Sequence, residues 1–175
     1  MLYNSKNYIN ITFCGMMGSG KSTIGKKFAK IIDFNFIDTD LLIEQKVGKS
    51  ISAIFKDEGE LVFRNLENKI VSKILNKKKC VISLGGGALI NKNIREVLKK
   101  NSLNIYLDVN KKKLIKRLKY SKNRPLLFDK DIEEQLDKLL NEREKLFKNA
   151  DIIIKNEKSI NNAIIKLQEI LKIND

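Results

Sequence analysis

The chain has no histidine, no tryptophan, a single proline, two cysteines and nine glycines, and counting along it finds only five arginines. Each scarcity excludes something. Without histidine there is no imidazole general base, and two cysteines cannot build the usual Cys/His zinc site. Cys14 closes one apolar run and Cys80 opens another, so both read as buried thiols rather than a disulfide framework. No apolar run approaches the ~18 residues of a membrane span, and the N-terminal MLYNSKNYIN lacks a signal peptide's apolar core. A cytoplasmic protein with no membrane partner is therefore expected.

What is abundant is lysine. Thirty lysines against five arginines, with 21 Asp and Glu, give a formal charge of +14, and Lys, Ile and Asn together make 74 of 175 residues. All three have A/T-rich codons, so nucleotide composition explains much of the excess. A nucleic-acid binder is the function that such a charge first suggests. The lysines are scattered, however, and lack the interleaved aromatic or arginine residues of a recognition surface, so no nucleic-acid partner is expected. With 42% apolar and 32% charged residues, 175 residues suit one globular domain spanning 1–175, expected to act as a monomer.

Five short apolar runs read as buried strands: Asn10 to Cys14, Asn35 to Ile37, Cys80 to Leu84, Leu103 to Leu107 and Asp151 to Ile154. Segments with helical spacing separate them. Ile24, Phe28, Ile31 and Ile32 follow the first strand, Val62, Leu66, Ile70 and Ile74 the second, and Ile160 to Leu171 closes the chain. Strand alternating with helix predicts an α/β fold, a parallel sheet covered on both faces. Tyr120 to Lys130, which holds the lone Pro125, has little periodicity and is where a mobile loop is expected.

The first strand runs into Gly15-Met16-Met17-Gly18-Ser19-Gly20-Lys21-Ser22-Thr23, which fits G-x-x-x-x-G-K-[ST] and leads directly into a helix. Glycines let successive N–H groups turn toward phosphate oxygens, and the helix N-terminus adds partial positive charge. Lys21 would bridge the β and γ phosphates and Ser22 would offer a hydroxyl to Mg²⁺. A nucleoside triphosphate is the expected ligand.

Asp38-Thr39-Asp40 ends the second strand, where a parallel sheet binds its ligands. As residues i and i+2 of an extended segment, Asp38 and Asp40 are expected to reach one site, one toward Mg²⁺ or its waters and the other toward a substrate hydroxyl. The alternative is a cap for a helix starting at Leu41. On a helical wheel of Asp131 to Lys148, Arg143 falls inside the arc formed by Ile132, Leu136, Leu139, Leu140, Leu146 and Phe147. A guanidinium there costs several kcal/mol unless an anion meets it, either a protein carboxylate or a ligand. Arg64 leans toward the apolar face of its own helix, and two such arginines suit bidentate capture of a small carboxylate. Gly85-Gly86-Gly87 after the third strand is expected to expose backbone N–H groups to a close ligand. Arg117 and Arg124 flank the Pro125 loop, and an arginine in a closing loop would stabilise a transferring phosphoryl group.

Taken together these segments resemble the shikimate kinase family. The matching pieces are GMMGSGKSTIGKKFAK, the Asp38-Thr39-Asp40 run, GxSIxxIFxxxGExxFRxxE from Gly48 to Glu67, SLGGGA, RPLL and EREKLF, in that order over roughly residues 10 to 155. The resemblance implies a P-loop, nucleoside monophosphate kinase-like α/β/α fold with a five-stranded parallel sheet and a lid at about 119–130. It implies phosphorylation of the shikimate 3-hydroxyl by ATP with Mg²⁺, on the way to chorismate and aromatic amino acids. Carried over by motif, Gly18, Ser19, Gly20, Lys21, Ser22 and Thr23 would hold ATP phosphates, with Ser22 and Asp38 toward the metal. Asp40 would hold shikimate hydroxyls and serve as base or orienting group. Arg64 and Arg143 would grip the carboxylate, Gly86 would present its N–H, Arg124 would reach ATP from the lid, and Arg117 would lie along adenine. Lys21, Asp40 and Arg124 would be the catalytic set. Two departures stand out: Phe147 where many members carry tyrosine, and Lys155 to Lys158, which lacks the expected small polar and acidic pattern. A kinase of similar fold acting on a gluconate-like polyol acid is the alternative, sharing the phosphate loop but needing no FR, GGGA and RPLL together.

Overall fold

The structure is a computed structural model describing residues 10–119 and 131–173. Arg124, Pro125 and almost all of the expected lid lie outside the described residues. Five parallel strands, β1 (Asn10–Cys14), β2 (Asn35–Asp38), β3 (Cys80–Ser83), β4 (Ser102–Asp108) and β5 (Ile152–Lys155), form one sheet in the order β2-β3-β1-β4-β5. The helices are α1 (Lys21–Ile31), α2 (Thr39–Val47), α3 (Ile51–Asp57), α4 (Gly59–Leu75), α5 (Lys92–Asn101), α6 (Lys111–Leu118), α7 (Ile132–Lys148) and α8 (Ile160–Leu171), with a 3₁₀ turn at Ala88–Ile90. The chain leaves β1 toward one edge and reaches the other through β4, so β1 lies at the switch point where such sheets open a crevice.

Alternation along each strand divides the core between two faces. Ile11, Phe13, Val81, Leu103, Ile105 and Leu107 pack under α1 and α8 with Ile24, Phe28 and Leu167. Cys14, Ile82 and Tyr106 face α4 to α7 with Val71, Leu75, Ile94, Leu114 and Leu136. Each fully buried Phe or Ile contributes roughly 1.5–3 kcal/mol of transfer free energy, so the sheet is a rigid platform for its loop ends. A third, small cluster of Ile43, Ile54 and Phe63 holds α2, α3 and α4 together as an excursion between β2 and β3.

Local rules explain most helix starts. Ser50, Asn91, Asn110, Asp131 and Ser159 each accept first-turn N–H bonds as N-caps. Two expected stripes shift. In α4 the buried side chains are Phe63, Glu67, Val71, Ile74 and Leu75, whereas Val62 is exposed. The helix begins at Gly59 and is oriented by its contacts with α3 and α5, which turn it one residue from the apolar count. In α1, Ile31 is exposed and Gly25 and Ala29 face inward instead. A Cβ on Gly25 would stand 2.9 Å from the Phe36 ring, so helix and sheet approach closely there. Cys14 and Cys80 are free and buried, as expected.

Candidate active site

One half of the site is made mostly of backbone. Gly18 and Gly20 take left-handed conformations (φ 78° and 96°) that turn the chain from β1 into α1. Gly20 is the N-cap of α1 and has no side chain to accept from the first-turn amides, which leaves them for an anion. Ser19 N–H donates to the Met16 carbonyl at 3.1 Å and closes the loop. Lys21 is buried, with Nζ donating to the Gly15 and Met16 carbonyls at 2.9 and 3.0 Å, so its ammonium lies over the loop. Ser22 Oγ donates to Asp38 Oδ2 at 2.5 Å and lies 3.3 Å from Ser83 Oγ. Thr23 is exposed on the next position. Arg117 donates through Nη1 to the Gly18 carbonyl at 3.0 Å and through Nη2 to the Asn156 carbonyl at 3.4 Å. A groove of about 680 Å³ between α1 and α2 touches Ser22, Thr23 and Asp38. It is otherwise lined by Lys26, Lys27, Lys30 and mainly apolar side chains, and holds none of Asp40, Arg64 and Arg143.

The other half is built from side chains of α2, α4 and α7 around the loop after β3. The strand-face argument for Asp38 and Asp40 does not hold. α2 begins at Thr39, not Leu41, and Asp38 is its N-cap, accepting from Asp40 N–H at 3.1 Å and Leu41 N–H at 3.3 Å. The helical turn separates the two carboxylates: Asp38 faces Ser22, and Asp40 faces Gly85 and Glu67. A Cβ on Gly85 would stand 2.5 Å from Asp40 Oδ1 and 3.0 Å from Glu67 Oε1. Thr39, fully buried, accepts the Gly85 N–H at 2.9 Å and so ties the two loops.

Arg64 is held by carboxylates of its own helix. Nη1 meets Glu67 Oε2 at 2.7 Å, while Nε and Nη2 meet Glu60 Oε1 at 3.1 and 2.9 Å. Burial works against its charge, but Glu67 and Glu60 outweigh that and raise its pKa. Glu67 is 1% exposed, and burial pushes its carboxyl above the ordinary value, with Arg64 opposing and Asp40 adding to the rise. Arg143 differs. It is 3% exposed, its Nη1 donates to the Gly86 carbonyl at 3.3 Å, and its Nε has no hydrogen-bond partner among the described residues. Among the described residues no carboxylate lies within ion-pair distance of it. Burial, then Arg64, lowers its pKa. A buried guanidinium beside a second one, with no carboxylate at ion-pair distance among the described residues, has the charge and the fork geometry to receive an anion.

The three glycines have different reasons. A Cβ on Gly87 would stand 2.5 Å from Arg64 Nη2, and one on Gly85 would meet Asp40, so these two admit protein side chains rather than a ligand. Gly86 is the open one, with its nearest neighbours at 3.6 Å or more. Its carbonyl takes the Arg143 bond, and its N–H makes no bond among the described residues. Asp40, Arg64, Gly86 and Arg143 thus converge, while Lys21, Ser22 and Asp38 converge beside them, across Ser83. Phe147, the departure on α7, stacks on Tyr106 with ring centroids 5.4 Å apart, and Tyr106 donates to Asp108 instead. Glu67, Thr39 and Asn156 had no assigned role. Glu67 carried the same signal as Arg143, a charge within an apolar helical stripe.

Comparison with known proteins supplies the family. The sequence profile described as shikimate kinase matches residues 17–172. The chain belongs to the shikimate kinase family. Its activity is therefore that of an ATP-dependent shikimate kinase, a transferase with ATP as co-substrate. It is 41% identical over 170 residues to a shikimate kinase of Histophilus somni, covering 94% of this chain and 97% of that one. It is 41% identical over 152 residues to one from Microcystis aeruginosa, covering 87% and 80%. The solved shikimate kinase of Acinetobacter baumannii in complex with shikimate superposes with a TM-score of 0.90 at 34% identity, covering 95% of each chain. The fold extends further, to a deoxyadenosine kinase of M. mycoides with a TM-score of 0.63 at 19% identity. The shikimate kinase fold expected from the motifs is thus the one observed. Among the described residues no helix is long and apolar enough to cross a membrane.

Proposed function

We propose that residues 1–175 form a single kinase domain, monomeric and cytoplasmic, that transfers the γ-phosphoryl group of ATP to the shikimate 3-hydroxyl, giving shikimate 3-phosphate and ADP for chorismate and aromatic amino acid synthesis. The observation that carries the assignment of the acid is Arg143: a guanidinium 3% exposed, without a carboxylate partner among the described residues, beside Arg64. The shikimate carboxylate fills that vacancy in charge, with Arg64 and Arg143 gripping it and the Gly86 N–H donating to a hydroxyl. The ring hydroxyl to be phosphorylated then lies toward Asp40.

The loop from Gly18 to Thr23 receives the triphosphate on its N–H groups, and Lys21 leaves the Gly15 and Met16 carbonyls to follow the γ-phosphoryl group. The hydroxyl oxygen bonds to the γ phosphorus, the bond to the β–γ bridging oxygen breaks, ADP leaves, and the hydroxyl proton passes to Asp40. Ser22 and Asp38 suit Mg²⁺, because they offer only oxygen atoms 2.5 Å apart and Mg²⁺ keeps waters and phosphate oxygens as its other ligands. When bound, the ion neutralises charge on the β and γ phosphates. Arg117, on the rim of the loop, lies along adenine, and Arg124, outside the described residues, reaches ATP from the lid.

The test is ADP release with ATP and Mg²⁺ against shikimate, gluconate and nucleoside monophosphates, with the product's phosphorylated position read by phosphorus and proton NMR. Turnover confined to shikimate with phosphate on the 3-oxygen is expected. Activity only on another acceptor would overturn the assignment.

A further inference from the structure

Asn156 stands just beyond β5 and is 3% exposed although wholly polar. It belongs to the Lys155 to Lys158 stretch where the family pattern is missing, so no motif gives it a role. Its backbone carbonyl and its side-chain Nδ2 are both engaged with the nucleotide half of the site. Its backbone N–H donates to the Asp108 carbonyl at 2.7 Å, which fastens it to the end of β4. Its backbone carbonyl accepts from Arg117 Nη2 at 3.4 Å. Its side-chain Nδ2 crosses to the phosphate loop and donates to the Ser19 carbonyl at 2.8 Å, a buried bond spanning 137 residues of sequence.

The Ser19 carbonyl is a consequential acceptor. In a planar trans peptide the carbonyl of Ser19 and the N–H of Gly20 point in opposite directions. Holding the carbonyl outward against β5 therefore turns the Gly20 N–H toward the inside of the loop, where phosphate oxygens are bound. Gly20 is left-handed at φ 96°, and glycine visits alternative peptide orientations at little cost, so without an anchor this plane is free to rotate. The packing is close as well, since a Cβ on Gly20 would stand 3.0 Å from Asn156 Nδ2. The neighbouring peptide is held similarly, through the bond from Arg117 Nη1 to the Gly18 carbonyl. Asn156 and Arg117 together fasten two successive loop carbonyls to the adenine edge of the domain.

We infer that Asn156 is a positioning residue for nucleotide binding: its side-chain amide locks the Ser19–Gly20 peptide with the Gly20 N–H facing the phosphates before ATP arrives. This rests on the assignment of Gly18 to Thr23 as the phosphate cradle. Replacing Asn156 removes a preorganising bond and makes nucleotide binding bear the ordering of the loop.

The experiment measures ADP and ATP affinity by calorimetry, with KM for ATP, KM for shikimate and thermal midpoint, for the wild type, Asn156→Ala, Asn156→Ser and Lys21→Ala. Asn156→Ala should weaken ADP about tenfold and raise KM for ATP alike, the scale of one lost buried hydrogen bond. KM for shikimate should change by less than about twofold, and circular dichroism should remain native. Asn156→Ser, whose hydroxyl falls short of the Ser19 carbonyl, should behave in the same way and keeps the test open if the alanine variant does not fold. Equal rises in both KM values, or a lowered midpoint with unchanged ADP affinity, would reduce Asn156 to a structural residue and overturn the inference. Lys21→Ala separates the two levels. If it too leaves ADP binding intact, the phosphate cradle itself is misassigned; if it alone weakens ADP, only the role of Asn156 fails.

Discussion

The two halves of the site are built on opposite principles. The nucleotide half is contiguous in sequence, formed by Gly15 to Thr23, and its donors are mostly backbone groups held by loop geometry and by Arg117 and Asn156. The acid half draws Asp40, Arg64, Glu67, Gly86 and Arg143 from four separated segments, and its chemistry is side-chain charge in a buried place. Within that half the two arginines differ again. Arg64 is neutralised by Glu60 and Glu67, while among the described residues Arg143 bonds to a carbonyl and to no carboxylate. A backbone cradle tolerates any triphosphate, whereas a buried guanidinium with no carboxylate at ion-pair distance among the described residues selects a small anion. On the proposed assignment, specificity for the acceptor belongs to the acid half.

The largest effect that tests this division is expected at Asp40, which faces the acid half and is proposed to act on the transferring group. Asp40→Asn should lower kcat on the order of 10²-fold or more, the scale of a positioned proton acceptor, with nucleotide affinity preserved. An unchanged kcat would remove Asp40 from the chemistry. Arg143→Lys keeps the charge but loses the planar fork, and should raise KM for shikimate about 10- to 100-fold with KM for ATP nearly constant. Equal shifts in both would mean that Arg143 serves the fold rather than the substrate.

Gly87→Ala is a subtler probe. Its Cβ would stand 2.5 Å from Arg64 Nη2 and 2.6 Å from Nη1, so Arg64 must move away from the loop. KM for shikimate should rise several-fold, by about 1 kcal/mol of binding, while Gly86→Ala, which meets no atom of the described residues closer than 3.6 Å, should hurt only if substrate comes there. Steady-state kinetics of the pair distinguishes a glycine needed by the protein from one needed by the ligand.

The smallest expected effect concerns stability. Burial raises the Glu67 carboxyl above its ordinary 4.5. Between 4.5 and that raised value the folded chain keeps a proton that the unfolded chain has lost, so this group's contribution to stability falls as pH rises through the interval. Glu67→Gln should remove that slope from the thermal midpoint measured between pH 4.5 and 7, and should weaken shikimate binding by loosening the Nη1 end of Arg64, whose Nε and Nη2 stay with Glu60. A slope identical to that of the wild type would show that Glu67 is ionised throughout.

Much of this was legible before the fold was known, for identifiable reasons. Strand positions were clear because buried parallel strands are short apolar runs, and β1 to β5 fall where those runs predicted them. Arg143 was legible because a helical wheel needs only periodicity. The Asp38 and Asp40 pairing was misread because Thr39 starts α2, a boundary that no apolar pattern marks. The face of α4 was misread by one residue because its orientation is decided by α3 and α5. The roles of Gly85 and Gly87 were invisible in sequence, since what forbids a Cβ there is Asp40 and Arg64 arriving from α2 and α4.

The amino-acid sequence by itself determined the phosphate loop, the alternation that makes a parallel sheet, and the shortage of arginine that made Arg64, Arg117 and Arg143 conspicuous. These are local matters, settled by spacing along one chain. Only the tertiary structure decided which charges are compensated. Arg64 is paired because Glu60 and Glu67 lie a helical turn away, Arg143 meets no carboxylate among the described residues because α7 presents it to a carbonyl, and Asn156 reaches Ser19 only because β5 and β1 flank β4. Burial and distance set the strength of a charge, and both come into being when the sheet assembles.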